Sequence, residues 1–183
     1  MKINVIGTSG SGKSTLARRL AQALAIPYIE MDKIYWRKDW TFTPKEEFVQ
    51  QVAQALEIPD WVLDGNYKRT QEMKWRDVDW VVWVDYGFCR TLWQAVRRAT
   101  TRLWRHQELW PDTGNYETLQ RLLFSRESIV LWTIKTYRPN RDKYLRMMAD
   151  PRNSHIRFIH LRCPADTERF VASVANHTVN PGS

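Results

Sequence analysis

Apolar and polar positions divide this chain into short runs with two different periods. Lys2-Ile3-Asn4-Val5-Ile6 is a β-branched stretch that predicts a buried strand. Gly7 to Thr15 interrupts it. Leu16, Leu20 and Leu24 then recur four apart, with Ala17 and Ala21 beside them, which predicts a helix from about Lys13 to Leu24. Tyr28-Ile29-Glu30 predicts a second strand ending near Asp32. Thr43 as N-cap, Pro44 at the first helical position and Glu46 and Glu47 in the first turn predict a helix start. Phe48, Val49, Val52, Ala55 and Leu56 carry that helix on one face, and Pro59 ends the connection.

Trp61-Val62-Leu63 reads as a third strand closing on Asp64-Gly65-Asn66-Tyr67, and Trp80 to Val84 as a fourth closing on Asp85. A helix is expected from Phe88 to Arg105 and a loop from Glu108 to Tyr116, which carries Pro111, Asp112 and Gly114. Further helices are expected from Glu117 to Tyr137, with a break near Ser125, and from Pro139 to Ala149. His155 to Leu161 reads as a fifth strand and Ala165 to Ala175 as the last helix. The tail His177 to Ser183 shows no core-building pattern. There is no internal repeat and no low-complexity tract. Strands alternating with helices predict an α/β fold, a three-layer parallel sheet with helices on both faces. Ligands bind such sheets beyond the carboxyl ends of the strands. Three predicted strands end there with an acid: Asp32, Asp64 and Asp85.

Composition adds bounds. A length of 183 residues, with 43% hydrophobic and 26% charged, fits one globular domain with a full core, spanning 1–183. No apolar run approaches a membrane span and no signal peptide is visible, so no membrane partner is expected. Cys89 and Cys163 form neither a metal spacing nor a disulfide framework, which reads as a reduced, cytoplasmic protein. Ten tryptophans are unusual; Trp80, Trp83, Trp104 and Trp132 lie in apolar stretches and are expected in the core. The net charge is +8 and unevenly spread. Arginines 90, 97, 98, 102 and 105 form one basic stretch, and Arg121, Arg126, Lys135, Arg138, Arg141, Lys143 and Arg146 another. Such asymmetry points to an anionic partner, polyphosphate or nucleic acid.

The candidate chemistry begins in the glycine segment. Gly7, Gly12, Lys13 and Ser14 fit G-x-x-x-x-G-K-[ST], between a predicted strand and a predicted helix. In that setting the backbone N–H groups of Gly7, Thr8, Ser9, Gly10, Ser11, Gly12, Lys13, Ser14 and Thr15 are expected to cradle the phosphates of ATP. Lys13 would reach the β- and γ-phosphates and Ser14 would hold Mg²⁺. Asp64 is the candidate metal- or water-holding acid. Asp32 is the candidate grip on an acceptor. Asp85 reads better as a turn and helix cap. Arg98 and Arg102 share one helix face ahead of a lid-like loop, where closure would set them on developing charge. Arg138 and Arg141 are candidates for a second clamp, Arg162 for packing on the nucleotide base, and Arg76 for an acceptor phosphate.

With these positions in view, the chain resembles an adenylate kinase-like P-loop protein of the topology modulation (FlaR-type) family. The resemblance rests on Gly7 to Ser14, Met31-Asp32 with Tyr35-Trp36, Trp61 to Tyr67, Trp75-Arg76 and Arg98, and on Glu108-Leu109-Trp110 and Ser128 to Trp132. Asp64-Gly65-Asn66-Tyr67 is similar to the D-G-[FY]-P-R element of adenylate kinases. Asn66 and Tyr67 replace the aromatic residue and the proline, and Arg69 lies one place beyond that element's arginine. The resemblance implies a nucleoside monophosphate kinase-like sheet of five strands in the order 2-3-1-4-5. It also implies an acceptor-binding helical segment near 36–58 and a lid near 103–116 without zinc; Asp32 and Asn66, outside that segment, are the accompanying candidates for acceptor binding. It implies ATP binding and phosphotransfer, with a nucleotide or another small hydroxyl compound as acceptor. The rival reading is a nucleotide-switched regulatory protein that binds nucleic acid through its arginine stretches. It is disfavoured because no nucleic-acid-binding signature is recognisable.

Overall fold

The computed structural model describes residues 1–104 and 129–179. Five strands form one sheet: β1 (Lys2–Gly7), β2 (Tyr28–Glu30), β3 (Trp61–Asp64), β4 (Trp80–Val84) and β5 (Arg157–Leu161). Their order is β2-β3-β1-β4-β5 and every pairing is parallel. Seven α-helices are present among the described residues: α1 (Lys13–Leu24), α2 (Met31–Tyr35), α3 (Lys45–Ala55), α4 (Gln71–Trp75), α5 (Phe88–Trp104), α6 (Ile129–Ala149) and α7 (Pro164–Val179). This is the α/β architecture and strand order expected of a P-loop kinase.

Strand periodicity builds two cores. Ile3, Val5, Val62, Val82 and Val84 point to one face, where Leu16, Leu20 and Val174 of α1 and α7 cover them. The alternate residues Ile6, Leu63, Val81 and Trp83 point to the other. There Met31, Phe48, Val52, Trp75 and Tyr144 cover them. Both faces are shielded, as a parallel sheet requires. Asn4 is the polar exception inside β1. Its amide donates to the carbonyls of Leu63 and Gly65 at 3.0 Å each, and its oxygen accepts from the Trp75 indole at 2.9 Å. That buried group is therefore satisfied, and it ties the end of β3 to α4.

Several expectations need correction. The segment expected as two helices parted at Pro139 is one helix through it, α6. Its far ends are held independently: Thr133 donates to the Ser9 carbonyl, Tyr137 to the Tyr86 carbonyl, and Tyr144 is buried. Tertiary anchoring on both sides overrides the local cost of a proline. Thr43 does not cap α3; its hydroxyl donates to the Ile34 carbonyl at 2.7 Å, and Pro44 takes the N-cap position. Asp85, expected as a turn and helix cap, has its carboxylate in an ion-pair cluster with Arg141 and His160. Trp83 is buried, but Trp104 is 89% and Trp132 55% exposed, because α5 and α6 face the interior with small residues such as Ala95, Ala99 and Thr133. The last helix runs past Ala175 to Val179, into the tail expected to be loose. The loop at 108–116, most of the lid near 103–116 and the helix start at 117–128 lie outside the described residues.

Candidate functional site

The glycine segment leaves β1 at the carboxyl edge of the sheet and enters α1. Its glycines serve packing as much as access. A Cβ on Gly10 would stand 2.8 Å from both the Ala95 Cβ and the Thr91 carbonyl, so the loop lies directly on α5. Gly10 and Gly12 also hold φ of +83° and +96°, which only glycine adopts without strain. Gly12 is the N-cap of α1, and no side chain caps that helix. The first-turn N–H groups are thus left for an external acceptor. Thr15 is exposed and Ser14 half-buried.

Lys13 reaches back across the sheet edge. Its Nζ stands 3.3 Å from Asp64 Oδ1, with the carboxylate 2% exposed. Burial works against the Lys13 charge, but Asp64 and then Asp32 outweigh it, and the ammonium titrates above the usual lysine range. The other Asp64 oxygen accepts from the Tyr28 hydroxyl at 3.1 Å. Asp32, in the first turn of α2, accepts from the Tyr67 hydroxyl at 2.7 Å. Burial first, then the neighbouring carboxylate, pushes both phenols well above the ordinary tyrosine range, so each stays a donor. Gly65 permits this closeness: a Cβ there would meet the Met31 side chain at 2.8 Å. Asn66 donates to the Tyr144 hydroxyl.

Arg98 on α5 reaches the Ser9 hydroxyl at 3.5 Å and is close enough to oppose the Lys13 charge. Arg102 lies one turn further on in α5, with its side chain outside the described residues. Arg138 and Arg162 are exposed and line a cleft of about 460 Å³ with Asp85, Gly87, Tyr137, Arg141 and Asp142. In that cleft Asp85 Oδ2 accepts from Arg141 Nε at 3.0 Å and from His160 Nε2 at 2.8 Å. The His160 ring stacks on Trp83 at 4.1 Å.

The structure therefore brings Lys13, Asp64, Asp32 and Arg98 to one place beside the loop, and Arg138 and Arg162 to a neighbouring cleft. Arg76 is not among them. It is exposed, beyond α4, where Trp75 already meets His155 ahead of β5 and Asp79 meets Lys2 at the opposite, amino edge of the sheet. Tyr28, Thr133 and Lys74 join the site unannounced by any motif, and Tyr67, though part of the Asp64-Gly65-Asn66-Tyr67 element, carried no expected role. Asp85 had a signal, its position at a strand end. His160 becomes visible only through its pairing register with Trp83.

The residues present fit a polyphosphate and a hard cation. Ser11 Oγ is buried without a hydrogen-bond partner, Asp64 Oδ1 is buried with only the Lys13 ammonium beside it, and α1 lacks a side-chain cap. Among the described residues no group of three or more His, Cys, Asp or Glu side chains is placed to hold a metal ion; Ser14 and Asp64 are the side chains at the loop with the oxygen chemistry a hard cation takes. No described helix is long and apolar enough to cross a membrane.

The family model for shikimate kinase (SKI) matches residues 9–55, from the third residue of the loop through the end of α3. Together with the sheet order, that likeness points to a P-loop kinase and to ATP-dependent phosphotransfer. No curated protein matches the chain.

Proposed function

We propose that this protein is an ATP- and Mg²⁺-dependent small-molecule kinase of the adenylate kinase-like type, within the topology modulation (FlaR-type) group. It would work as one domain, with an acceptor segment near 36–58 and a lid near 103–116. The reading rests above all on one observation: a nearly buried Asp64 carboxylate faces Lys13 at the mouth of an uncapped glycine loop. The Asp64-Gly65-Asn66-Tyr67 turn supports the narrower assignment.

In this reading the amides of Gly7 to Thr15 hold the phosphates, and Lys13 leaves Asp64 for the β- and γ-oxygens. Ser14 and Asp64 would hold Mg²⁺, which when bound would supply positive charge against the phosphates. Asp32, oriented by Tyr67, holds the acceptor hydroxyl beside that point, with Asn66 next to it. Arg98, and Arg102 with it, stabilises the transferring group. Arg138 and Arg162 flank the nucleotide in the cleft at Asp85, where Phe88 and Tyr137 offer an aromatic wall in an adjoining hollow of about 360 Å³.

The test is ADP release from Mg-ATP across a panel of nucleoside monophosphates and small hydroxyl compounds, against the no-acceptor background. One class of acceptor should raise the rate well above background, and Lys13→Ala should lower it by about 10²–10³-fold. Unchanged turnover in that variant would refute the role given to the loop.

A further inference from the structure

Asp85 follows β4 in a nearly buried position, and one of its oxygens, Oδ2, accepts two bonds: 3.0 Å from Arg141 Nε and 2.8 Å from His160 Nε2. The arginine comes from α6 and the histidine from β5. A carboxylate only accepts, so Nε2 is the ring nitrogen that carries the hydrogen. The His160 ring lies parallel to the Trp83 indole, 4.1 Å away and tilted by 4°, and Trp83 is buried. A buried indole thus sets the imidazole, the imidazole sets the carboxylate, and the carboxylate sets the guanidinium.

The guanidinium is the outward end of this chain of contacts. The Arg141 side chain is 46% exposed, against 5% for Asp85, and it lines the cleft of about 460 Å³ with Arg138 and Arg162. Asp85 takes its Nε, and the Nη pair is the part of a guanidinium that grips a phosphate at two points. One turn earlier in α6 the Tyr137 hydroxyl donates to the Tyr86 carbonyl at 2.9 Å, which fixes the helix at this level. The neighbours of Asp85 also border the glycine loop. A Cβ on Gly7 would stand 2.8 Å from the Val84 carbonyl, and one on Gly12 would stand 4.0 Å from the Tyr86 ring. The cleft therefore adjoins the loop. His160 gives the buried carboxylate a second donor, so its orientation does not depend on Arg141 alone.

We infer that Asp85 and His160 are positioning residues, which aim the Arg141 guanidinium at the phosphates of the nucleotide held by the loop. The inference rests on the kinase reading above and adds to it the residues that orient the cation. An arginine side chain has much rotamer freedom to lose on binding. Held by Asp85, it has lost that freedom before the ligand arrives, so the phosphate contact costs less ordering. The same carboxylate without His160 would follow the guanidinium instead of directing it.

The experiment is a double-mutant cycle on the binding of a non-hydrolysable ATP analogue with Mg²⁺ to the full chain, read by calorimetry, with a thermal melt on every variant. Arg141→Ala should weaken the analogue about tenfold or more. His160→Phe keeps a ring for Trp83 but has no N–H for Asp85, and should weaken it about fivefold. His160→Gln returns an N–H donor and should stay within about twofold of the wild type. In an Arg141→Ala background, His160→Phe should change affinity by less than about twofold, because its effect runs through the missing guanidinium. Asp85→Asn should act as His160→Phe does, and it carries the same cycle where His160→Phe fails to fold. Wild-type affinity in Arg141→Ala or His160→Phe overturns the inference and leaves the kinase reading standing. So does a His160→Phe loss that persists in full without Arg141, or that His160→Gln does not relieve; either marks a merely structural histidine. A wild-type chain that binds no analogue overturns both.

Discussion

At the residue scale, the site is governed by how buried charges are compensated. Lys13 keeps its proton because Asp64 and Asp32 outweigh burial; Lys74 has no such partner, and burial followed by Lys143 pushes it down to about 7, with Asp64 opposing. An unfolded lysine titrates near ~10.4. Between about pH 7 and 10, then, the unfolded chain holds a proton that the native chain has released, and stability rises with pH across that window. Below it the native protein carries the full penalty of a buried charge. Lys74→Met removes the titration. Its stability advantage over the wild type in urea denaturation should be largest at pH 6, of the order of a few kcal/mol, and should shrink by pH 9. A pH-independent difference would mean that Lys74 titrates like a solvated lysine.

At the element scale, the glycine loop is held by helices distant in sequence. Gly10 lies on Thr91 and Ala95 of α5, and Thr133 of α6 donates to the Ser9 carbonyl at 3.2 Å. Gly10→Ala puts a methyl group where only 2.8 Å is open, at a φ of +83°. It should cost about 1–3 kcal/mol and weaken Mg-ATP binding. Gly87→Ala, with nothing within 4 Å of the new Cβ, should be near neutral by the same thermal melt. Equal losses in the two variants would deny the packing role given to Gly10. In α6, Pro139 leaves the Lys135 carbonyl without its helical donor. Pro139→Ala should therefore raise Tm by a few degrees; a fall would show that the proline shapes the helix for the contacts of Thr133 and Tyr144.

At the scale of the whole molecule, several arginines are engaged by partners within the chain, most of them at the surface. Arg98 reaches the loop, Arg141 pairs with Asp85, Arg19 pairs with Glu168 through two bonds of 2.6 Å, and Arg97 lies over the Trp93 ring. Within the basic stretches, Arg98, Arg141 and Arg97 thus have partners inside the chain. Mg-ATP at a hundred times its Kd should stabilise the fold by about 2.7 kcal/mol, or about 5–10 °C in Tm for a chain of this size. The shift should survive moderate salt, where a surface polyanion contact would fade. Lys13→Ala should abolish most of it. A wild-type melt unmoved by Mg-ATP would remove the loop from the account.

The strands, the glycine loop and most of the strand-end acids are legible in near-neighbour patterns: β-branched runs, a four-residue apolar spacing, and a glycine motif read over eight positions; the strand order comes from the family resemblance. Strands β1 and β4 and helix α1 fall close to the expected bounds for that reason. Which charges meet is a matter of long-range packing. Asp85 pairs with Arg141 and His160, Tyr67 with Asp32 and Lys74 with Gly65, because β-strand register and helix docking set those distances. The same docking carries α6 through Pro139 and leaves Arg76 at the far edge of the sheet. Local pattern sets the elements; long-range packing, which no short window of sequence encodes, sets the electrostatics of the site.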